Sequence, residues 1–119
     1  MKLTIYHNPA CTKSRKTLEL IEQHGITPTI VEYLETPPGV ETVLRIADML
    51  GMRVIDMLRP AEPDFAAITQ SAASDDDAAL AVGLQNHPKA LERPIVVDED
   101  AGKAIIGRPP ENVLELFET

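Results

Sequence analysis

Tryptophan is absent, phenylalanine and tyrosine occur twice each, and a single cysteine, Cys11, stands among the 119 residues. One thiol excludes an intramolecular disulfide framework and cannot build a zinc site from the usual cysteine clusters. If Cys11 takes part in redox chemistry, its resolving thiol has to come from another molecule. Cations are scarce as well: 11 Lys and Arg face 19 Asp and Glu, for a net charge of −8. Such a field attracts neither nucleic acid nor an anionic membrane surface. No run approaches the roughly 20 apolar residues of a membrane span, and the opening residues read as a strand and not as a signal peptide. The expectation is a cytoplasmic protein that engages no membrane and no nucleic acid. A Gly-rich phosphate loop and a nucleotide fingerprint are also missing, so no bound cofactor is expected.

What is present is the 44% apolar and 25% charged balance of a folded chain, and its length suits one domain over residues 1–119. Residues 2–7 pattern as a strand that stops at Asn8-Pro9. A helix follows from Thr12 to about His24, with Leu18, Leu20 and Ile21 on its apolar face and Gly25 at its end. The β-branched residues of 29–34 make a second strand, and parallel pairing with the first is the simplest arrangement. Pro37-Pro38-Gly39 breaks the chain before a helix over 40–50, where Val43, Leu44, Ala47 and Leu50 share a face. Residues 54–58 look like a short helix, and Pro60 and Pro63 mark a loop. Ser74 ahead of Asp75-Asp76-Asp77 reads as a capped helix start leading to Leu80, Val82 and Leu84, closed at His87-Pro88. The acidic triplet is a solvated helix start and not a metal site. Residues 94–97 and 104–106 form an antiparallel hairpin, and Pro109-Pro110 opens a terminal helix with Val113, Leu114 and Phe117 on one face. The expected fold is α/β: a four-stranded mixed sheet in the order β-α-β, then β-β-α, with a helical insertion between the halves.

Cys11 falls between a strand end and a helix start, where free N–H groups and the positive end of the helix dipole favour an anion. Cysteine pKa values drop in such places, which makes the thiol a nucleophile at neutral pH. Lys13, Arg15 and Lys16 occupy the helix's opening, a region that ordinarily prefers acids; a thiolate or bound oxyanion there would account for them. The competing reading is an inert, buried cysteine beside a solvated basic face. His7 lies four residues upstream. His24 and His87 sit at helix ends, where histidine commonly meets terminal carbonyls, and carry no expected role.

Three of the six arginines, Arg59, Arg93 and Arg108, immediately precede prolines. That position disfavours helix and puts them at element ends, where binding groups concentrate. The planar guanidinium fork suits tetrahedral oxyanions. Each alone reads as a surface ion pair; with Cys11 they suggest an oxyanion pocket. Pro94, opening an apolar strand, stands where a thioredoxin-like fold keeps a cis proline beside its thiol.

Tyr6-His7-Asn8-Pro9-Ala10-Cys11 with Ser14-Arg15, then Tyr33-Leu34-Glu35, Leu58-Arg59, Glu92-Arg93-Pro94-Ile95-Val96-Val97 and Gly107-Arg108-Pro109 resemble, in order and spacing, the glutaredoxin-coupled arsenate reductase family. The ending around Ile106 to Glu111 is similar to its short housekeeping branch, since the chain stops soon after its last helix. The resemblance implies a thioredoxin-like fold, Cys11 as the nucleophile toward arsenate, His7 as its loop histidine, and Arg59, Arg93 and Arg108 as oxyanion-binding groups. Asn8, Ser14, Arg15 and Pro94 would support the loop. Glutathione would be a cosubstrate and glutaredoxin the partner of a monomeric enzyme. Two alternatives share the fold: a monothiol, glutathione-dependent oxidoreductase of another substrate, and a redox-linked transcription regulator. The regulators usually carry Cys-x-x-Cys, whereas here Ser14 holds the last position.

Overall fold

A computed structural model describes residues 1–118, which divide into two compact units: Met1–Tyr33 together with the chain from Arg93 onward, and Leu34–Glu92. The first unit is built on a four-stranded sheet of order β2-β1-β3-β4. Its strands are β1 (Leu3–His7), β2 (Thr29–Glu32), β3 (Ile95–Asp98) and β4 (Lys103–Ile106). Strand β1 pairs with β2 in parallel, and both β1·β3 and β3·β4 are antiparallel. This is the mixed sheet expected from the sequence.

The central strands explain the order. All four residues of β3, Ile95-Val96-Val97-Asp98, are buried, whereas the edge strand β2 is exposed at every position but the half-buried Val31. Helix α1 (Thr12–Gln23) connects β1 to β2 and ends at His24, with Gly25 at φ 78°, a left-handed turn that glycine adopts without penalty. The core joins Leu3, Ile5, Ile21, Val96, Val113 and Leu116. Two expectations shift here. The buried face of α1 is Ser14, Thr17 and Ile21, while Leu18 and Leu20 are only partly buried; two polar side chains face inward because the sulfur loop lies there. The terminal segment Pro110–Phe117 is a 3₁₀ helix, and its period of three places Val113 and Leu116 inside, with Leu114 and Phe117 at the margin.

In the Leu34–Glu92 unit the helices are α2 (Val40–Leu50), α3 (Pro63–Ser71) and α4 (Asp77–Asn86), with 3₁₀ turns at Val54–Met57 and Pro88–Ala90. Helix α3 replaces the loop expected from Pro60 and Pro63: Pro63 is its first residue, the one helical position where a missing N–H costs nothing. Its one buried residue, Ile68, left little periodicity to read. Helix α4 is capped by Asp76, whose carboxylate accepts the Ala79 N–H at 3.1 Å, and not by Ser74. Its inner face is Leu80, Ala81 and Leu84, and Val82 points outward at 48% exposure, because residues two apart lie on opposite sides of a helix. Asp77 pairs with Arg53 at 3.0 Å, so two of the three clustered acids have structural partners.

Gly107 marks the tightest approach in the sheet unit. A Cβ built there would stand 2.6 Å from Thr17 Oγ1 and 2.8 Å from Pro94 Cγ. Both neighbours are held, Thr17 by its bond to the Lys13 carbonyl and Pro94 by its ring. Gly107→Ala is expected to destabilise the protein by about 1–3 kcal/mol, read as a lower thermal midpoint; an unchanged midpoint would show that these neighbours yield freely.

Candidate active site

The carboxyl ends of β1 and β2 and the amino end of β3 meet at the Cys11 loop. Extending the parallel register of β1 and β2 by one residue sets Asn8 level with Tyr33, and extending the antiparallel register of β1 and β3 sets it level with Arg93. On the far side of β3, Gly107 N–H donates to the Pro94 carbonyl at 2.8 Å, and Arg108 Nη1 donates to the Arg93 carbonyl at 3.4 Å. Asn112, which the sequence did not mark, donates to the carbonyls of Ile106 and Arg108 at 3.2 Å each and holds that turn. The bonds Arg93–Pro94 and Arg108–Pro109 are both cis. One end of one sheet thus gathers Cys11, Asn8, Arg93 and Arg108.

The loop is cross-braced from within. The Cys11 N–H donates to the Asn8 carbonyl at 3.0 Å, and Asn8 Oδ1 accepts the Ala10 N–H at 3.0 Å. Arg15 reaches back to the Pro9 carbonyl at 2.8 Å and to Thr12 Oγ1 at 3.2 Å, so this cation closes the loop on itself. Ser14, wholly buried, accepts the Asn8 N–H at 3.0 Å and shares a 2.6 Å hydrogen bond with His7 Nδ1. Burial pushes His7 below the ordinary imidazole value; the Glu32 charge works against this and Arg15 adds to it. A neutral ring is the form that suits a site 7% exposed. Ser14→Ala would leave both the Asn8 N–H and His7 Nδ1 without this partner. The expected loss is about 1–3 kcal/mol, seen as a lower denaturant midpoint, and a midpoint equal to wild type would contradict the bracing role.

Cys11 is the N-cap of α1, in extended conformation at φ −94° and ψ 122°, and no acid occupies the first turn. Its sulfur takes no side-chain capping bond of regular geometry, yet the backbone N–H groups of Ser14 and Lys13 act on it. Burial pushes the thiol up, but the Ser14 N–H, a hydrogen bond from Arg93, the Lys13 N–H and the Arg93 charge outweigh it, leaving Cys11 below the ordinary thiol value. The side chain is half-buried and free. It therefore combines thiolate character with access, the two conditions for a reactive cysteine.

Arg59 belongs to the other unit. Its N–H donates to the Ala90 carbonyl at 2.7 Å beside the bridge between Leu58 and Leu91, and its guanidinium lies 3.4 Å from Glu92 and 4.0 Å from Glu62. Among the described residues no three His, Cys, Asp or Glu side chains cluster as metal ligands, and no helix is long and apolar enough to cross a membrane.

Tyr33 is the residue whose placement the sequence pattern left without a role. It is fully buried, and its hydroxyl and Arg93 Nε are the two buried side-chain polar atoms without a hydrogen-bond partner among the described residues. Burial raises the phenol, against the pull of Arg93 and Asn8 and with the repulsion of the Cys11 charge. Asn8 and Arg93 are thus near enough to act on the oxygen without bonding to it in regular geometry. The parallel register was the signal that could have located it.

Residues 6–116 match the family model described as the ArsC family. The chain is 41% identical over 118 residues to a protein named arsenate reductase from Haemophilus influenzae, covering 98% of this chain and all of that one. It is 42% identical over 116 residues to YfgD of Escherichia coli K12, an uncharacterized protein, covering 97% and 96% of the two chains. Among solved structures, one titled arsenate reductase from Vibrio cholerae superposes with a TM-score of 0.87 at 46% identity, over 97% of each chain.

Proposed function

The chain belongs to the ArsC family, and from that premise we propose that it is an arsenate reductase in which Cys11 attacks the substrate and external thiols supply the electrons. The observation that carries this reading is Cys11 standing half-buried at the N-cap of α1, with the Ser14 and Lys13 N–H groups and the Arg93 guanidinium near enough to hold its thiol below the ordinary value. A nucleophile beside a cation that can neutralise an oxyanion supports this reading. The same cations that hold a thiolate can hold the charged oxygens that arrive beside it.

In the first step the Cys11 thiolate forms a sulfur–arsenic bond with arsenate, and one arsenate oxygen leaves, protonated, as water. Glutathione's thiol then replaces a second oxygen, again released as water, and arsenic carries two sulfurs. A glutaredoxin thiolate attacks the glutathione sulfur: a mixed disulfide forms, the electron pair of the arsenic–sulfur bond stays on arsenic, and As(V) becomes As(III). Hydrolysis of the remaining sulfur–arsenic bond frees arsenite and the Cys11 thiol. Arg93 and Arg108 are oxyanion-binding cations of this scheme, and the family resemblance assigns Arg59 the same role. His7, neutral and tied to Ser14, serves by ordering the loop. A single cysteine agrees with it, because no second thiol of the chain is required. The reaction calls for a cytoplasmic supply of glutathione and no bound cofactor.

The test is arsenate-dependent oxidation of NADPH with glutathione, glutaredoxin and glutathione reductase present. The proposal predicts turnover that requires the protein and saturates with arsenate; oxidation indifferent to arsenate would refute it.

A further inference from the structure

Two buried donors at the sulfur end of the sheet, the Tyr33 O–H and the Arg93 Nε–H, have no acceptor of regular geometry among the described residues. Buried polar groups are nearly always paired, and a hydroxyl left bare in the interior is a cost that a fold ordinarily removes by phenylalanine. The cost is explicable if an acceptor comes and goes. Both donors stand at the level of Asn8, on opposite sides of β1, and the Arg93 guanidinium lies near enough to the Cys11 sulfur to favour its thiolate. A tetrahedral oxyanion attached to that sulfur carries further oxygens that accept hydrogen bonds but donate few. The phenol also keeps its proton, so it can donate where an ionised tyrosine could only repel.

We propose that Tyr33 is a further substrate-binding residue, donating its hydroxyl hydrogen to a non-bridging oxygen of the arsenate held at Cys11, beside the oxygen that takes Arg93 Nε–H. The proposal rests on the arsenate reductase reading and adds to it the group that recognises an oxygen by hydrogen bonding alone, without charge. Tyr33 has no exposed surface, whereas Asn8, Arg93 and Cys11 are each partly exposed. The substrate oxygen therefore reaches the phenol as the Arg93 side chain shifts from the sulfur onto the substrate. Because arsenate is already charged when it binds, the bond forms in the ground state as well as the transition state. Its loss falls on KM more than on kcat.

The experiment compares wild type with Tyr33→Phe in three measurements: the NADPH-coupled arsenate assay, the pH dependence of Cys11 alkylation by iodoacetamide, and thermal unfolding. Tyr33→Phe is expected to lower kcat/KM for arsenate by roughly tenfold or more, the range for a hydrogen bond to a charged group, chiefly through KM. The alkylation profile should remain as in wild type, and the melting midpoint should hold or rise, since the oxygen removed makes no hydrogen bond of regular geometry among the described residues. A kcat/KM within twofold of an active wild type would overturn the role of Tyr33 and leave the arsenate reading intact. A lowered midpoint would overturn it too, by revealing a structural partner for the hydroxyl. An inactive wild type would remove both the reading and the proposal.

Discussion

Cys11→Ser is expected to reduce arsenate-dependent NADPH oxidation to the rate without enzyme. Serine keeps the size and position of the cap, and the N–H groups of Ser14 and Lys13 still point at the side-chain oxygen, so the variant should fold. The nucleophile is what disappears. The Ser14 and Lys13 N–H groups and Arg93 lower the thiol below its ordinary value, but an alcohol starts many units higher and is not brought to an alkoxide by the same forces. No other thiol can take over, because the chain has one cysteine. Activity that survived this substitution would mean that glutathione attacks arsenate directly and that the protein merely holds the anion.

Arg93 should produce the second-largest effect, because it acts on both partners of the reaction. Its guanidinium, by hydrogen bonding and by charge, favours the thiolate and lowers the Cys11 thiol. In the scheme above it also neutralises the oxyanion. Arg93→Leu removes two of the influences that outweigh burial, so the thiol titrates higher and the thiolate fraction at pH 7 falls. The pH–activity profile then moves upward, with kcat/KM for arsenate down by about 10²- to 10³-fold, the scale for loss of one preorganised donor at a charged centre. Arg93→Lys restores the charge without the planar fork and should recover only part of the loss. Alkylation kinetics across pH separate the two contributions: a Leu variant with the wild-type profile would show that Arg93 does not govern the thiol.

Much of this site was legible before any coordinates. Strand, turn and helix could be placed around Cys11 because Asn8-Pro9 stops one pattern and Leu18 and Ile21 begin another, and that alone positions the thiol at a helix N-terminus. The Arg-Pro pairs announced backbone ends where binding side chains gather, and two of them, Arg93 and Arg108, do adjoin through a side chain and a carbonyl. Less legible was anything set by packing between distant segments. That Ser14 is buried and joined to His7 depends on which face of α1 turns inward, and the leucines of that helix suggested a different face. Tyr33 acquires meaning only when β2 is registered against β1. Helix α3 escaped notice because one buried isoleucine leaves no period to read, and the two prolines around it look like loop punctuation until one is seen to open a helix. The helix through Leu80, Val82 and Leu84 forms as its acidic start implies, but its inner face takes Ala81 in place of the exposed Val82.

The most direct test of Cys11 as an activated nucleophile for arsenate is the rate of its alkylation by iodoacetamide as a function of pH, with and without arsenate. The Ser14 and Lys13 N–H groups and Arg93 stabilise the thiolate, so the rate should reach its plateau below the pH at which an ordinary thiol, with a pKa of about 8.5, would do so. Arsenate occupying the sulfur should slow the reaction. A thiol that titrates at or above 8.5 and is alkylated equally fast with arsenate present would contradict the account.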